Sequence, residues 1–274
     1  MEEECQLLYI YSKTINRHNQ MIRGIIKKYL LLLICFTVCV AKAQIVNIER
    51  ARMQSDTTGW LGNVGAEMSF SKNSNRVFSA SADAHLQYKS KKSLYLILGS
   101  YGFLKGNNEK LEDNIFFHIR YNYKITQVLR WEMFTQLQKN VISNIKSRFL
   151  FGTGPRFKIL STNHFHLYAA SLIMYEEEKE ISNPVILHTD FRNSSYFSFT
   201  IIPNSQIEII STTFFQPLLN DLNDFRILNQ ASLRAKAGKK LAIRINWNYL
   251  NDSRPVQGIP SVNYSFSTGI DYDF

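Results

Sequence analysis

From about Trp60 to its last residue the chain alternates apolar and polar positions, interrupted at intervals by clusters of Gly, Pro, Asn, Asp and Lys. A repeat of two is that of an extended strand, whose successive side chains point to opposite faces. Twelve such segments are predicted, most with assignable faces. The first sets Trp60, Val64, Ala66, Met68 and Phe70 against Asn63, Glu67 and Ser69, and the second Phe78, Ala80, Ala82, Ala84, Leu86 and Tyr88 against Ser79, Ser81, Asp83, His85 and Gln87. The third, Ser93 to Leu104, is apolar on both faces. The fourth opposes Ile115, Phe117, Ile119, Tyr121, Tyr123 and Ile125 to Asn114, His118, Arg120, Asn122 and Lys124.

The fifth carries Leu129, Trp131, Met133 and Leu137 against Arg130, Glu132, Gln136 and Gln138. The sixth carries Ile145, Phe149, Phe151, Phe157 and Ile159 against Lys146, Arg148, Arg156 and Lys158. Phe165 to Tyr175, Phe191 to Ile201 and Ile207 to Phe215 are the next three. The tenth opposes Phe225, Ile227, Ala231, Leu233 and Ala235 to Arg226, Gln230, Arg234 and Lys236. The eleventh opposes Leu241, Ile243, Ile245, Trp247 and Tyr249 to Arg244, Asn246 and Asn248. The last puts Val262, Tyr264, Phe266, Ile270, Tyr272 and Phe274 on one face, an ending that resembles the terminal-aromatic insertion signal of bacterial outer-membrane barrels.

Connections follow a second rule. Short links come after even strands, at 89–92, 126–127, 161–163, 203–205 and 237–240, and longer ones after odd strands, at 105–112, 176–190, 217–223 and 252–260. A barrel with both termini in the periplasm has that asymmetry. A soluble β-sandwich would also alternate. Three features favour the barrel: a charged polar face, aromatics at strand ends (Tyr88, Tyr123, Trp131, Trp247, Tyr249, Tyr264, Tyr272), and strands of about nine to twelve residues, the length a tilted membrane strand requires.

The amino-terminal end agrees. Met21 to Lys28 is basic, Tyr29 to Val40 is apolar, and Ala41-Lys42-Ala43 is a small-x-small cleavage pattern, so a secretory leader cut after Ala43 is expected, with Met21 as the true start. Residues 44–56 read as a periplasmic lead-in and 57–274 as the barrel. All three cysteines (Cys5, Cys35, Cys39) fall in the leader, so the mature chain has neither disulfides nor thiolate metal sites. Removing the leader changes Lys+Arg from 32 to 26 and Asp+Glu from 22 to 19, for a mature net charge of +7. These cations are spread over lumen-facing strands, which argues against nucleic acid as a partner.

The inward faces are basic. Arg120, Lys124, Arg130, Lys146, Arg148, Arg156, Lys158, Arg192, Arg226, Arg234, Lys236 and Arg244 outnumber Glu67, Asp83, Glu132, Glu208, Asp271 and Asp273 by six. One reading is a salt-bridged, closed interior, with pairs such as Glu132 with Arg156 and Arg244 with Asp271. The other is a narrow channel preferring small anionic solutes. Gly152 and Gly154 leave inward space on the sixth strand, and Pro155 predicts a bulge.

A barrel hydrolase is the third reading. His85 with Asp83, His118, and the pair His164 and His166 are its candidates, and lumen histidines account for all four more simply. The acidic run Glu176 to Glu180 is expected as a solvated tip of the longest exterior loop, with divalent cations bridging lipopolysaccharide as its alternative role. No catalytic residue, resident metal or cofactor is expected.

The stretches Phe116 to Lys124, Arg130-Trp131-Glu132, Phe134 to Gln138 and Leu150-Phe151-Gly152-Thr153-Gly154-Pro155-Arg156 resemble a family of salt-induced outer-membrane proteins classed as a domain of unknown function. The resemblance covers most of Trp60 to Phe274. It implies a small barrel in the outer membrane of a Gram-negative, Bacteroidetes-like cell and brings no substrate with it. The expected architecture is thus an all-β, closed antiparallel transmembrane barrel. Its expected role is structural or stress-related, and its expected partners are outer-membrane lipids, lipopolysaccharide and, through Tyr272 and Phe274, the barrel-assembly machinery.

Overall fold

The computed structural model describes residues 58–72, 76–106, 109–238 and 241–272. The leader (1–43), its cleavage point, the lead-in 44–56, Asp273 and Phe274 lie outside the described residues, as do the side chains of Glu67, Asp271 and Tyr272. The strands are β1 (Gly59–Lys72), β2 (Arg76–Lys89), β3 (Ser93–Gly106), β4 (Glu109–Lys124), β5 (Leu129–Asn140) and β6 (Ile145–Ser161). They continue as β7 (Phe165–Glu180), β8 (Leu187–Asn204), β9 (Ile207–Pro217), β10 (Phe225–Lys236), β11 (Leu241–Asp252) and β12 (Val262–Tyr272). Each pairs with the next in one antiparallel meander, so that sheet order equals chain order. β1 and β12 are its edges, and no ladder joins them among the described residues.

Alternation becomes burial. On β8, Arg192, Ser194, Tyr196, Ser198 and Thr200 are buried, while Tyr196 at 2 % exposure stands beside Phe197 at 64 %. The sheet therefore curls, with the polar-patterned face concave. Contacts that skip strands prove the curl: Tyr196 on β8 reaches Glu132 on β5, and Arg226 on β10 reaches Glu176 on β7.

Between two aromatic rows the convex face is mostly apolar, interrupted on β7–β10 by a hydrogen-bonded polar group of Ser171, Asn193, Ser195, Ser211, Thr213 and Asn229. At the end of the short even-to-odd turns, Trp60, Tyr88, Tyr95 and Tyr121 stack ring against ring at 4.8, 6.2 and 4.8 Å. At the opposite end Phe149, Tyr175 and Phe191 do so at 6.4 and 5.4 Å. Phe191 to Ile201 along β8, at about 3.3 Å per residue and a tilt of about 40°, spans roughly 25 Å, the height of a barrel's lipid-facing band. Beyond the second row the convex face turns charged, with Lys139 on Asp113 and Lys179 on Glu177.

Three sequence expectations are corrected. Residues 105–106 and 109–112 are strand, with a register shift between Leu104 and Lys105. The segment 176–190 is likewise mostly strand: β7 runs to Glu180, β8 starts at Leu187, and the connection is 181–186. Strands continue past the apolar band because ion pairs on both faces reward pairing there. Pro155 produces no register shift. The ladder lapses at Gly154 and Pro155 on the β7 side and resumes in phase at Arg156↔Ala170, while Pro155 stays opposite Trp131 on β5. The β6 irregularities fall instead between Ile145 and Ser147 and between Lys158 and Leu160, and the first turns Ile145 inward to 4 % exposure, against the outward position expected.

The missing side chains of β6 serve close packing rather than open space. A Cβ on Gly152 would lie 2.3 Å from the Phe134 ring, and one on Gly154 would lie 2.3 Å from the Ser171 carbonyl oxygen. Glycine lets the ring and the β7 backbone occupy those places.

Candidate functional site

The concave side is layered along the barrel direction, and each layer follows from the inward parity of several strands. Nearest the even-to-odd turns is a charged centre on Glu132 of β5, which has no solvent exposure. Arg120 Nη1 of β4 donates to its Oε2 at 3.1 Å, Arg156 Nη1 of β6 to its Oε1 at 3.2 Å, and the Tyr196 hydroxyl to Oε2 at 2.6 Å. The Arg156 guanidinium lies 4.1 Å from the Tyr168 ring centroid, and that of Arg120 lies 4.9 Å from Phe134. Two cations on one carboxylate would be costly in an apolar setting without those ring faces and the hydroxyl. The expected Glu132–Arg156 pair is therefore present, with Arg120 as a further partner.

The next layer is apolar, which alternation of charge did not predict. Phe134, Leu150, Ala170, Leu172, Met174, Tyr196 and Phe214, contributed by β5 to β9, form one buried cluster with Leu228 of β10 packed against it. Leu172 and Met174 are each 1 % exposed. A smaller cluster of Leu96, Leu98 and Phe116 explains why β3 is apolar on both faces. Each such side chain contributes about 1.5–3 kcal/mol through removal from water, so this belt is a major source of stability.

Above the belt stands a second ionic centre, at the end of the odd-to-even connections. Glu176 of β7 is met by Arg148 Nε at 3.1 Å, Arg192 Nε at 2.9 Å and Arg226 Nη1 at 2.6 Å. Arg148 also contacts Glu178, Arg192 contacts Asp224 at 2.8 Å, and Arg226 contacts Asp252 at 2.8 Å. Glu176, Glu178 and Glu180 are thus inward side chains of β7, not a solvated tip, and Glu180 accepts from His188 at 2.7 Å. Together with Asp190, Asp224 and Asp252, these six carboxylates offset the surplus of six cations read from the sequence. Parity could have found them, since Leu172, Met174, Glu176, Glu178 and Glu180 share one phase.

Between this centre and the walls of β4–β5 and β10–β12 lies a cavity of about 660 Å³. Its floor is Phe116, His118, Phe134, Met174 and Phe214, and its rim includes Ile142, Ser143 and the β11–β12 connection from Arg254 to Pro260. That connection is held by Arg254 on Asp221 at 2.6 Å and by Asn144 Nδ2 donating to the Gln257 carbonyl at 3.4 Å.

Other candidates are dispersed. Arg234 on β10 is opposite Glu208 on β9 and Arg244 on β11, and Arg244 is opposite Gly269. The expected Arg244–Asp271 pair falls outside the described side chains, as does Glu67. Asp83 is exposed near the β1 edge, opposite Gly65 and Ser100, and His85 lies opposite Leu98. His118 is stacked between Phe116 and Phe134, with Gln136 on Nδ1 at 3.1 Å and the Arg120 Nε–H on Nε2 at 3.3 Å. His164 Nδ1 contacts the Ile202 carbonyl and His166 Nδ1 the Ser161 hydroxyl, so the two do not converge. Among the described residues no group of three or more His, Cys, Asp or Glu has metal-binding geometry.

Residues 51–274 match the model of a family described as "Protein of unknown function, DUF481". No curated protein matches the chain. Among solved structures, similarity is found to a NanC porin (12 % identity, TM-score 0.46, covering 77 % of this chain and 98 % of that one). It extends to the translocator domain of the autotransporter NalP from Neisseria meningitidis (9 %, 0.46, 83 % and 92 %) and to the beta domain of the Bordetella autotransporter BrkA (9 %, 0.37, 79 % and 99 %).

Proposed function

The chain belongs to the DUF481 family of proteins of unknown function, and since no activity comes with that membership, we propose a role from its own geometry. The protein is an outer-membrane barrel whose β1 and β12 edges pair to close it, with both termini periplasmic and a lumen sealed to ions. It serves the envelope as a structural or stress-related element and catalyses no reaction. The carrying observation is the apolar belt of Phe134, Leu150, Leu172, Met174 and Phe214 across the concave side, continuous with the Glu132 centre below it. Small barrels have just enough interior for side chains to fill, and here the buried cluster of β5 to β9 supplies that filling.

The membrane assignment is supported by the convex band between its two aromatic rows and by its charged margin at Lys139 and Lys179. Closure is supported by physics: an open edge leaves backbone groups unpaired, which hydrocarbon does not tolerate. Support for a non-catalytic role comes from His118, which is wedged between two Phe rings and bonded to Gln136 and Arg120 rather than poised beside a nucleophile.

Reconstitution into planar bilayers tests this reading. A folded preparation, recognised by heat-modifiable migration, is expected to give no conductance steps. Discrete steps with ion selectivity would overturn the sealed lumen. A mature chain that stays monodisperse in buffer without detergent would overturn the membrane assignment.

A further inference from the structure

The cavity above the belt is more than leftover space, because its walls differ in chemistry. One wall is ionic and already satisfied: Arg148, Arg192 and Arg226 each contact at least two carboxylates. A bound anion would have to displace a carboxylate from a guanidinium, and a bound cation the reverse. Either exchange leaves a charge uncompensated in a largely desolvated site. The ionic wall is therefore closed to charged ligands, though its polar edges still face the cavity.

The facing walls are rich in amides, and the two cations among them are already paired, Arg120 with Glu132 and Arg254 at the rim with Asp221. Gln136 and Gln138 come from β5, Gln230 from β10 and Asn248 from β11, all lining the cavity. Gln136 donates to Gln138 at 3.2 Å and Asn248 to Ser265 at 3.1 Å. Gln136 also meets His118 Nδ1 through its Oε1 at 3.1 Å; since an amide carries two donor hydrogens and a two-lone-pair acceptor, Gln138 and Asn248 keep the most capacity for a ligand. Such groups can receive a hydroxyl as donor, as acceptor, or as both. The floor offers stacked rings: Phe116 and His118 at 6.0 Å and 6°, His118 and Phe134 at 5.5 Å and 20°. Few convergent polar groups over an apolar floor, in a volume between about 300 and 1,000 Å³, is the usual form of a small-molecule site.

We propose that this cavity binds a neutral, polyhydroxylated solute of the saccharide class, its hydroxyls on the amides of β5, β10 and β11 and its C–H face against the edges that Phe116 and Phe134 leave open on either side of the fully buried His118. The site stands above the belt and holds its ligand whether or not the lumen below conducts. A wholly apolar ligand is disfavoured because it would strip the amides of water without replacing their hydrogen bonds.

The test is saturation-transfer NMR with calorimetry on the full mature chain, folded in an amine-oxide detergent that has no sugar headgroup. The probes are maltose, cellobiose and raffinose, with inorganic phosphate, glucuronate and spermidine as charged comparisons. At least one neutral sugar is expected to bind more tightly than every charged probe. Gln138→Leu combined with Asn248→Leu should weaken it at least tenfold with heat-modifiable migration retained, and the near-isosteric Gln138→Met should weaken it severalfold if the double variant fails to fold. Binding of none of the three sugars, tighter binding of any charged probe, or sugar binding indifferent to these substitutions would overturn the proposal. Conductance is read separately, so failure of the sealed lumen and failure of the sugar site are distinguishable.

Discussion

Tyr196 of β8 donates its hydroxyl hydrogen to Glu132 of β5 at 2.6 Å, across the two intervening strands β6 and β7, and shares that carboxylate with Arg120 and Arg156. Removing the shared acceptor takes the carboxylate away from two buried guanidiniums. Glu132→Ala should cost about 3–5 kcal/mol, against roughly 1.5–3 for Tyr196→Phe, which loses one bond to a charged group. Replacing Glu132, Arg120 and Arg156 together by apolar residues should recover most of the loss. Urea unfolding in lipid vesicles measures all three, and an equal cost for Glu132→Ala and Tyr196→Phe would refute the shared-acceptor account.

Glu176 holds Arg148, Arg192 and Arg226 in one centre. Neutralising it should turn a saturated wall into an anion site. Glu176→Gln is expected to bind inorganic phosphate at least tenfold more tightly than the parent, read by calorimetry, with saccharide affinity little changed.

The convex face sets a depth scale. Phe117→Arg and Ile243→Arg, within the band, should destabilise folding into vesicles by about 2–4 kcal/mol, whereas Glu177→Lys, beyond the Tyr175 row, should cost about 1 kcal/mol or less. Equal penalties at all three positions would remove the boundary drawn at the aromatic rows.

Gly152 and Gly154 differ in what occupies the space beside them: a ring in one case and a backbone carbonyl in the other. A side chain can move and a paired strand cannot. Phe134→Ala should therefore rescue much of the loss in Gly152→Ala, while no single side-chain substitution rescues Gly154→Ala. A double-mutant cycle on Phe134 and each glycine reads this directly.

Asp221, in the β9–β10 connection, has its carboxyl held below the ordinary range by the Asn223 backbone N–H and by Arg254. A carboxyl whose folded pKa is depressed adds stability above its unfolded value and loses it as pH falls through the folded one. The tie between the two connections should accordingly persist at neutral pH and loosen below about pH 4. Hydrogen exchange in 218–224 and 253–261 should rise on acidification, and Asp221→Asn should show that faster exchange already at neutral pH.

Much of this was readable from the chain, for a physical reason. Where one face is apolar and open and the other largely polar and buried, as along Asn114 to Tyr123, the period of two is unmistakable, and the β4 and β5 faces follow directly. It fades where both faces are charged: at Glu176 to Glu180 the inward carboxylates are buried in ion pairs and the outward residues are open, so a strand looks like a loop. It also hides the belt, since Leu172 and Met174 are apolar on the side where charge was expected. The charged centres were seen as residue types, but their partners depend on curvature, which no local pattern encodes.

The pairing of β7 with β8 continues from Tyr175↔Phe191 to Lys179↔Leu187, past the last aromatic row. At about 3.4 Å per residue that is a projection on the order of 10–15 Å. Set in an outer membrane, it is a braced turret rather than a loose tassel, stiffened from within by Glu178 and Glu180. An antibody, phage or neighbouring cell would thus meet a fixed shape there, one whose recognition costs little ordering entropy.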